Sequence, residues 1–171
     1  ETDMTSTLKV DNIAHSGGTT GMTINSSGLV LQPTKPAFMA TINNAAWVAA
    51  SGGTKLPFDD NSTGGCFDTN GDFNTSTNRF VCPVSGSYYF FVILYSFNSD
   101  STNGFRVYKN GSALTTRGNI DIVGGQSGSV DETITASIIV ELTASDYVEI
   151  YAYTASDYYG TYTYFGGHLI G

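Results

Sequence analysis

Apolar and polar residues alternate in short runs along most of this chain. Turn formers interrupt the runs every 8–12 residues or so, the spacing expected of an all-β sandwich or barrel. The run at 133–142, TITASIIVEL, puts Ile134, Ala136, Ile138, Val140 and Leu142 on one side. Thr143 to Asp146 then turns the chain into a second strand at 147–154. Residues 104–116, GFRVYKNGSALTT, form a hairpin whose Asn110-Gly111 pair accepts the positive φ of a two-residue turn. One stretch breaks the alternation. In SYYFFVILYSF, one parity is Tyr88, Phe90, Val92 and Leu94, and the other is Tyr89, Phe91, Ile93, Tyr95 and Phe97. Both faces of that strand need cover, from the rest of the chain or from a second copy of it. The last strand, 162–170, is also apolar on both parities.

The first 32 residues differ. Leu8/Val10, Met22/Ile24 and Leu29/Leu31 are three short apolar pairings separated by Gly-, Ser- and Thr-rich links. None is long enough to bury a face alone, so residues 1–32 are either a flexible leader or, as the regular spacing favours, a β-rich stalk in which three chains wind together. Pro33 and Pro36 mark the boundary with a compact head at 33–171.

Composition excludes several classes. With 40% apolar residues this is no disordered chain, yet no apolar run approaches the roughly 20 residues of a membrane-spanning helix. The start, ETDMTSTLKV, has no basic region followed by an apolar one, and its lack of an initiating Met reads as a piece of a longer protein. Fifteen acidic and seven basic residues give a net charge of −8, and the basic ones are scattered, so a nucleic-acid partner is not expected. The only cysteines, Cys66 and Cys82, read as small buried hydrophobes in preference to a bridge.

Candidate chemistry is thin. His15 and His168 have no nucleophile-elbow motif near them, so neither is assigned a catalytic role. Asp59-Asp60 and Asp131-Glu132 are adjacent in sequence, and on a strand adjacent side chains point to opposite faces. The stretch from Asp68 to Asp72 resembles the start of a calcium loop, but Phe73 stands where that loop needs Gly and Arg79 where it needs Glu. No catalytic residue, metal or cofactor is expected, with calcium at this turn as the weighed alternative.

The blocks KLPFDDN (55–61), DFNTSTNRFVCPVSGSYYFFV (72–92), FRVYKNG (105–111) and the terminal YFGGHLIG resemble the globular head of the complement C1q family. Phe80, Pro83, Gly86, Tyr88 and Phe90 fall at the family's spacing, and Asn78-Arg79 replaces its usual Gly-Lys turn. The resemblance covers about 36–171. It implies a jelly-roll β-sandwich of about ten antiparallel strands, shared with tumour necrosis factor, that forms a homotrimer. One face of the 87–97 strand would then fill the core and the other would line the three-fold axis. The N-terminal segment is similar to linkers ahead of C1q-like heads in bacteriophage tail fibres and lacks the collagen repeat of the animal proteins.

In such a jelly roll the loops at 43–53, 98–103, 123–129 and 155–160 should lie at the end away from the stalk. Trp47, Asp100, Asn103, Gln126, Asp157, Tyr158 and Tyr159 are the candidate ligand-binding residues there. Aromatic rings beside an acid suit a sugar, and packing of Tyr158 and Tyr159 onto a neighbouring loop or subunit is the equally weighted alternative. The expectation is a tail-fibre head at the tip of a virion, with a host-surface glycan or protein as ligand, the upstream fibre shaft as neighbour and no membrane insertion. Its rivals are a trimerisation cap without a receptor, an extracellular C1q-like lectin or ligand from a cellular organism and, more remotely, a glycan hydrolase.

Overall fold

A computed structural model describes residues 8–98, 103–114, 121–124 and 130–171. The chain forms two compact units, Glu1–Lys35 and Pro36–Gly171. In the first, β1 (Asn12–Ala14), β2 (Thr20–Ile24) and β3 (Val30–Leu31) make an antiparallel sheet in the order β1-β2-β3. The links turn at Gly18 and Gly28, both at positive φ. The short apolar pieces therefore pair with one another inside one chain. Closing two short links costs little entropy, and the ladder bonds satisfy the backbone locally. This differs from the expected winding of strands between chains.

In the second unit the strands are β4 (Ala37–Thr41), β5 (Trp47–Ala50), β6 (Phe67–Asp68), β7 (Phe73–Asn74), β8 (Arg79–Val81) and β9 (Gly86–Asn98). They continue with β10 (Asn103–Lys109), β11 (Ser112–Ala113), β12 (Asp121–Gly124), β13 (Val130–Leu142), β14 (Tyr147–Ala152), β15 (Ser156–Tyr159) and β16 (Tyr164–Leu169). One sheet has the path β5-β15-β9-β16-β4-β6, with β13 also paired to β9; the other runs β11-β10-β14-β8-β7, with β12 paired to β10. Two antiparallel sheets enclosing one core make the sandwich that the turn spacing predicted. The Asn110-Gly111 turn has φ of 53° and 75°, as its hairpin required.

The long strand β9 is the spine. β13 pairs with it along its whole length, from Leu142 opposite Gly86 to Val130 opposite Asn98. β16 pairs with residues 88–93 of β9, and β15 with Ser96 and Phe97. β15 and β16 are thus successive strands along β9, interrupted by the 3-10 turn Gly160–Tyr162. β4 and β5 follow them in the same way. The stretches 43–53 and 155–160, expected to be tip loops, therefore each contain a sheet strand. Alternation there was masked because the two alanines of β5 carry little apolar signal and the adjacent Tyr158 and Tyr159 of β15 look alike on both parities.

The core is aromatic. Phe38 stacks on Phe73 and Phe80, at 4.9 and 5.0 Å between ring centroids, and meets Phe165 edge-on at 5.0 Å. Cys66 and Cys82 are free and buried, and burial pushes both thiols up. Tyr88 is fully buried with its hydroxyl donated to the Val84 carbonyl, and desolvation raises its pKa. The Asp68 carboxylate accepts the backbone N–H groups of Gly71, Asp72 and Phe73 at 2.9–3.1 Å, which organises the turn between β6 and β7.

Two more carboxylates fasten loops and make the head sensitive to acid. Asp60 accepts the Thr63 hydroxyl and the Ser62 N–H, which hold it below the usual carboxylate range. Asp146 accepts from Lys109, Asn110 and the Thr143 N–H and is held at about 2. A carboxylate whose folded pKa lies below its unfolded value of about 4 stabilises the fold above that pH. The contribution disappears as pH falls towards the folded value. The denaturation midpoint should therefore fall between about pH 4 and 2, and Asp146→Asn should flatten that slope. An unchanged slope would mean that Asp146 does not couple folding to pH.

Candidate functional site: the outward face of the long sheet

Side chains on β9 alternate across the sheet, and the structure assigns each parity a side. Tyr88, Phe90, Val92 and Leu94 are buried in the sandwich, each 2% exposed or less. Tyr89, Phe91, Ile93, Tyr95 and Phe97 point out and are half-buried. Their β13 neighbours are Ile139, Ser137, Thr135, Thr133 and Asp131 in turn. Only Asp131 is charged, so the row is apolar with a hydroxyl border. Ile139 is 62% exposed. The Phe91 ring lies across Gly166, where an added Cβ would come within 2.5 Å of it. A shallow groove of about 450 Å³ runs past Tyr89, Phe91, Ile93, Thr135 and Ser137. At the Pro36 end, His168 is exposed beside Tyr89, with ring centroids 5.4 Å apart.

The far end of this face is an aromatic cluster. Leu169 donates its N–H to the Pro36 carbonyl, so the unit begins and ends together. Asn98 and Val130 close the opposite end of the β9–β13 ladder. Near that end, Trp47 stacks on Tyr95 at 5.7 Å and meets Tyr159 edge-on at 5.3 Å. Tyr159 in turn stacks on Tyr162 at 4.8 Å. Trp47 is 39% and Tyr162 56% exposed. Tyr95 donates its hydroxyl to Asp131 at 2.8 Å, and that bond raises the phenol pKa. Tyr159 donates to the Ala45 carbonyl at 3.0 Å. Asp157 sits half-buried opposite Phe97, on the same side of the sheet.

The predicted ligand residues thus divide. Trp47, Asp157 and Tyr159 come together on strands β5 and β15, on the outward face. Tyr158 and Asn103 are corrections: Tyr158 is fully buried and donates to the Gly104 carbonyl, and Asn103 is 3% exposed and accepts from Ser156 at 2.7 Å. Neither side chain reaches a ligand from there. Neighbouring residues on a strand cannot share a face, and treating 155–160 as a loop hid that constraint. Asp100 and Gln126 lie outside the described residues. Tyr162 was missed as a ligand candidate because it reads as the first residue of the last strand, whereas the 3-10 turn swings it onto the cluster.

The remaining chemistry is local. Asp59 accepts the Asn43 N–H at 2.7 Å, and the exposed His15 accepts the Gly17 N–H at 3.0 Å. Among the described residues no group of three or more His, Cys, Asp or Glu is placed to hold a metal, and no helix is long and apolar enough to cross a membrane.

Known proteins similar to this chain agree with the fold. The globular domain of zebrafish complement 1qA superposes with a TM-score of 0.62 at 23% identity, covering 80% of this chain and 98% of that one. The tumour necrosis factor Eiger of S. frugiperda superposes with a TM-score of 0.63 at 11% identity, over 80% and 94% of the two chains. At such identities the likeness concerns the fold. In sequence, the phage-like element PBSX protein XkdV of Bacillus subtilis is 35% identical over 86 residues, which are 47% of this chain and 12% of that protein. The C1q domain matches residues 37–170. The chain belongs to the C1q domain family.

Proposed function

We propose that the chain is a virion structural protein of a bacteriophage, with residues 36–171 forming a trimeric, receptor-binding head on a fibre. The observation that carries this reading is the outward parity of β9, an apolar row that its own chain leaves half-covered. Domains of the C1q and tumour necrosis factor type commonly assemble as homotrimers. In the proposed trimer neighbouring copies cover Tyr89, Phe91, Ile93 and Ile139. Burying an apolar side chain of this size contributes about 1.5–3 kcal/mol. The relation to a phage-element protein supports a phage origin, and the C1q-type fold supports a binding or structural role over an enzymatic one.

The ligand in this reading is a host-surface glycan, bound at the far rim by Trp47, Tyr159 and Tyr162 with Asp157 beside them. Exposed ring faces stack on sugar C–H bonds, a carboxylate accepts sugar hydroxyls, and three weak sites on one particle give avidity. The test is a glycan array and a host-adsorption assay on the intact protein. Tyr162→Ala and Asp157→Asn should each weaken binding about tenfold, or 1.4 kcal/mol. Melting temperature should stay within about 2 °C, because neither side chain fills the core. Unchanged binding by both variants would leave the head as a trimerisation cap without this site.

A further inference from the structure

The small sheet at the start of the chain is amphipathic in a way that the sequence pairings hid. Ile13 stands opposite Met22, and Ile24 stands opposite Val30. Met22 and Ile24 are two apart on β2, so all four share one face of the sheet. The other face carries Asn12, Thr23 and Leu31, with the Thr23 hydroxyl donated to Asn12 at 2.9 Å. A bulge pairs Thr20 with Ala14 and so sets Thr20 off from the first face, whose paired residues are all apolar. Ile13 is 49% and Val30 57% exposed.

A unit of this size does not stay ordered unaided. Below roughly 40 residues a domain generally needs disulfides, a metal or association. Both cysteines, Cys66 and Cys82, belong to the head. Among the described residues no group of three or more His, Cys, Asp or Glu is placed to hold a metal. Association remains. An uncharged face lets identical copies meet without repulsion. The link to the head would hold three copies at an effective concentration in the millimolar range.

The geometry points to the Ile13–Met22–Ile24–Val30 face as a second homotypic interface, on which three copies of this sheet pack around a common axis. The proposal rests on the trimeric reading of the head, because the head brings the three copies together. Each sheet keeps its own hydrogen bonds and contributes only its apolar face. The stalk would therefore be a stack of side chains between folded hairpins.

The test follows hydrogen exchange of the β2 amides in the full chain, with mass measured by light scattering. In the unaltered protein these amides should be protected. Val30→Asp should lower that protection about 100-fold while the mass and the melting of the head stay unchanged. Thr23→Asp, on the opposite face of the same sheet, should retain it. To separate packing between copies from loss of local order, Val30→Cys with a short bismaleimide should give covalent dimers, and Thr23→Cys should not. Absent β2 protection, equal protection in Val30→Asp, or no cross-link at Val30→Cys would each overturn the proposal. A single-protomer mass for the unaltered protein would overturn the trimeric reading of the head, and β2 protection persisting in that protomer would overturn this proposal with it.

Discussion

Ile93→Asp should convert the protein from a trimer into single protomers that keep their fold. Ile93 lies on the outward parity of β9, between Thr135 of β13 and Tyr164 of β16. In the proposed trimer its side chain is desolvated three times, once per copy. An aspartate there would place three carboxylates in an apolar contact without a partner. Each desolvated charge costs several kcal/mol. A protomer pays none of that, because the same position then faces water. The core beneath is untouched, since Val92 and Leu94 point the other way and are almost fully buried. Light scattering should read one third of the original mass, and far-UV circular dichroism should be unchanged. An unchanged mass would show that this face does not carry the assembly, and the proposed function would fall with it.

Phe38→Ala should be the most damaging single truncation of the core. The ring is 1% exposed and touches three other rings at about 5 Å, Phe73, Phe80 and Phe165. Its neighbours belong to both sheets, so they cannot close on the void without shifting the sandwich. Removing a buried Phe costs about 3–5 kcal/mol. That is a large part of the roughly 5–15 kcal/mol that holds a domain together. For a domain of this size the melting temperature should drop by about 6–20 °C. Phe38→Leu keeps most of the volume and should lose under about half as much. A loss below about 1 kcal/mol for Phe38→Ala would mean that the ring cluster is not the centre of the core.

Much of the fold was legible in the chain. The clean alternation of 133–142 placed Ile134, Val140 and Leu142 inside, where they are. Asn110-Gly111 announced its turn, because few residue pairs tolerate two positive φ values in succession. Two apolar parities on β9 announced a strand with one row in the core and a second apolar row on the outward face, which is what the structure has. The candidate site was less legible. Trp47 and Tyr159 stood out as aromatics in Gly-, Ala- and Ser-rich surroundings, yet their meeting needs β5 and β15 to pair. Buried Tyr158 and outward Tyr159 read alike, since a tyrosine shows its side of a sheet only once the strand is known.

Period-two alternation, turn chemistry and the density of apolar residues are local quantities, so the order of residues was enough to specify strands, hairpins and an all-β class. Which parity of the central strand turns inward depends on where the second sheet lies, and that is set by contacts between residues far apart in the chain. The same holds for the Trp47 cluster and for the uniform apolar side of the first small sheet. Each is assembled from strands whose register, shifted by one residue, would send every side chain to the opposite face.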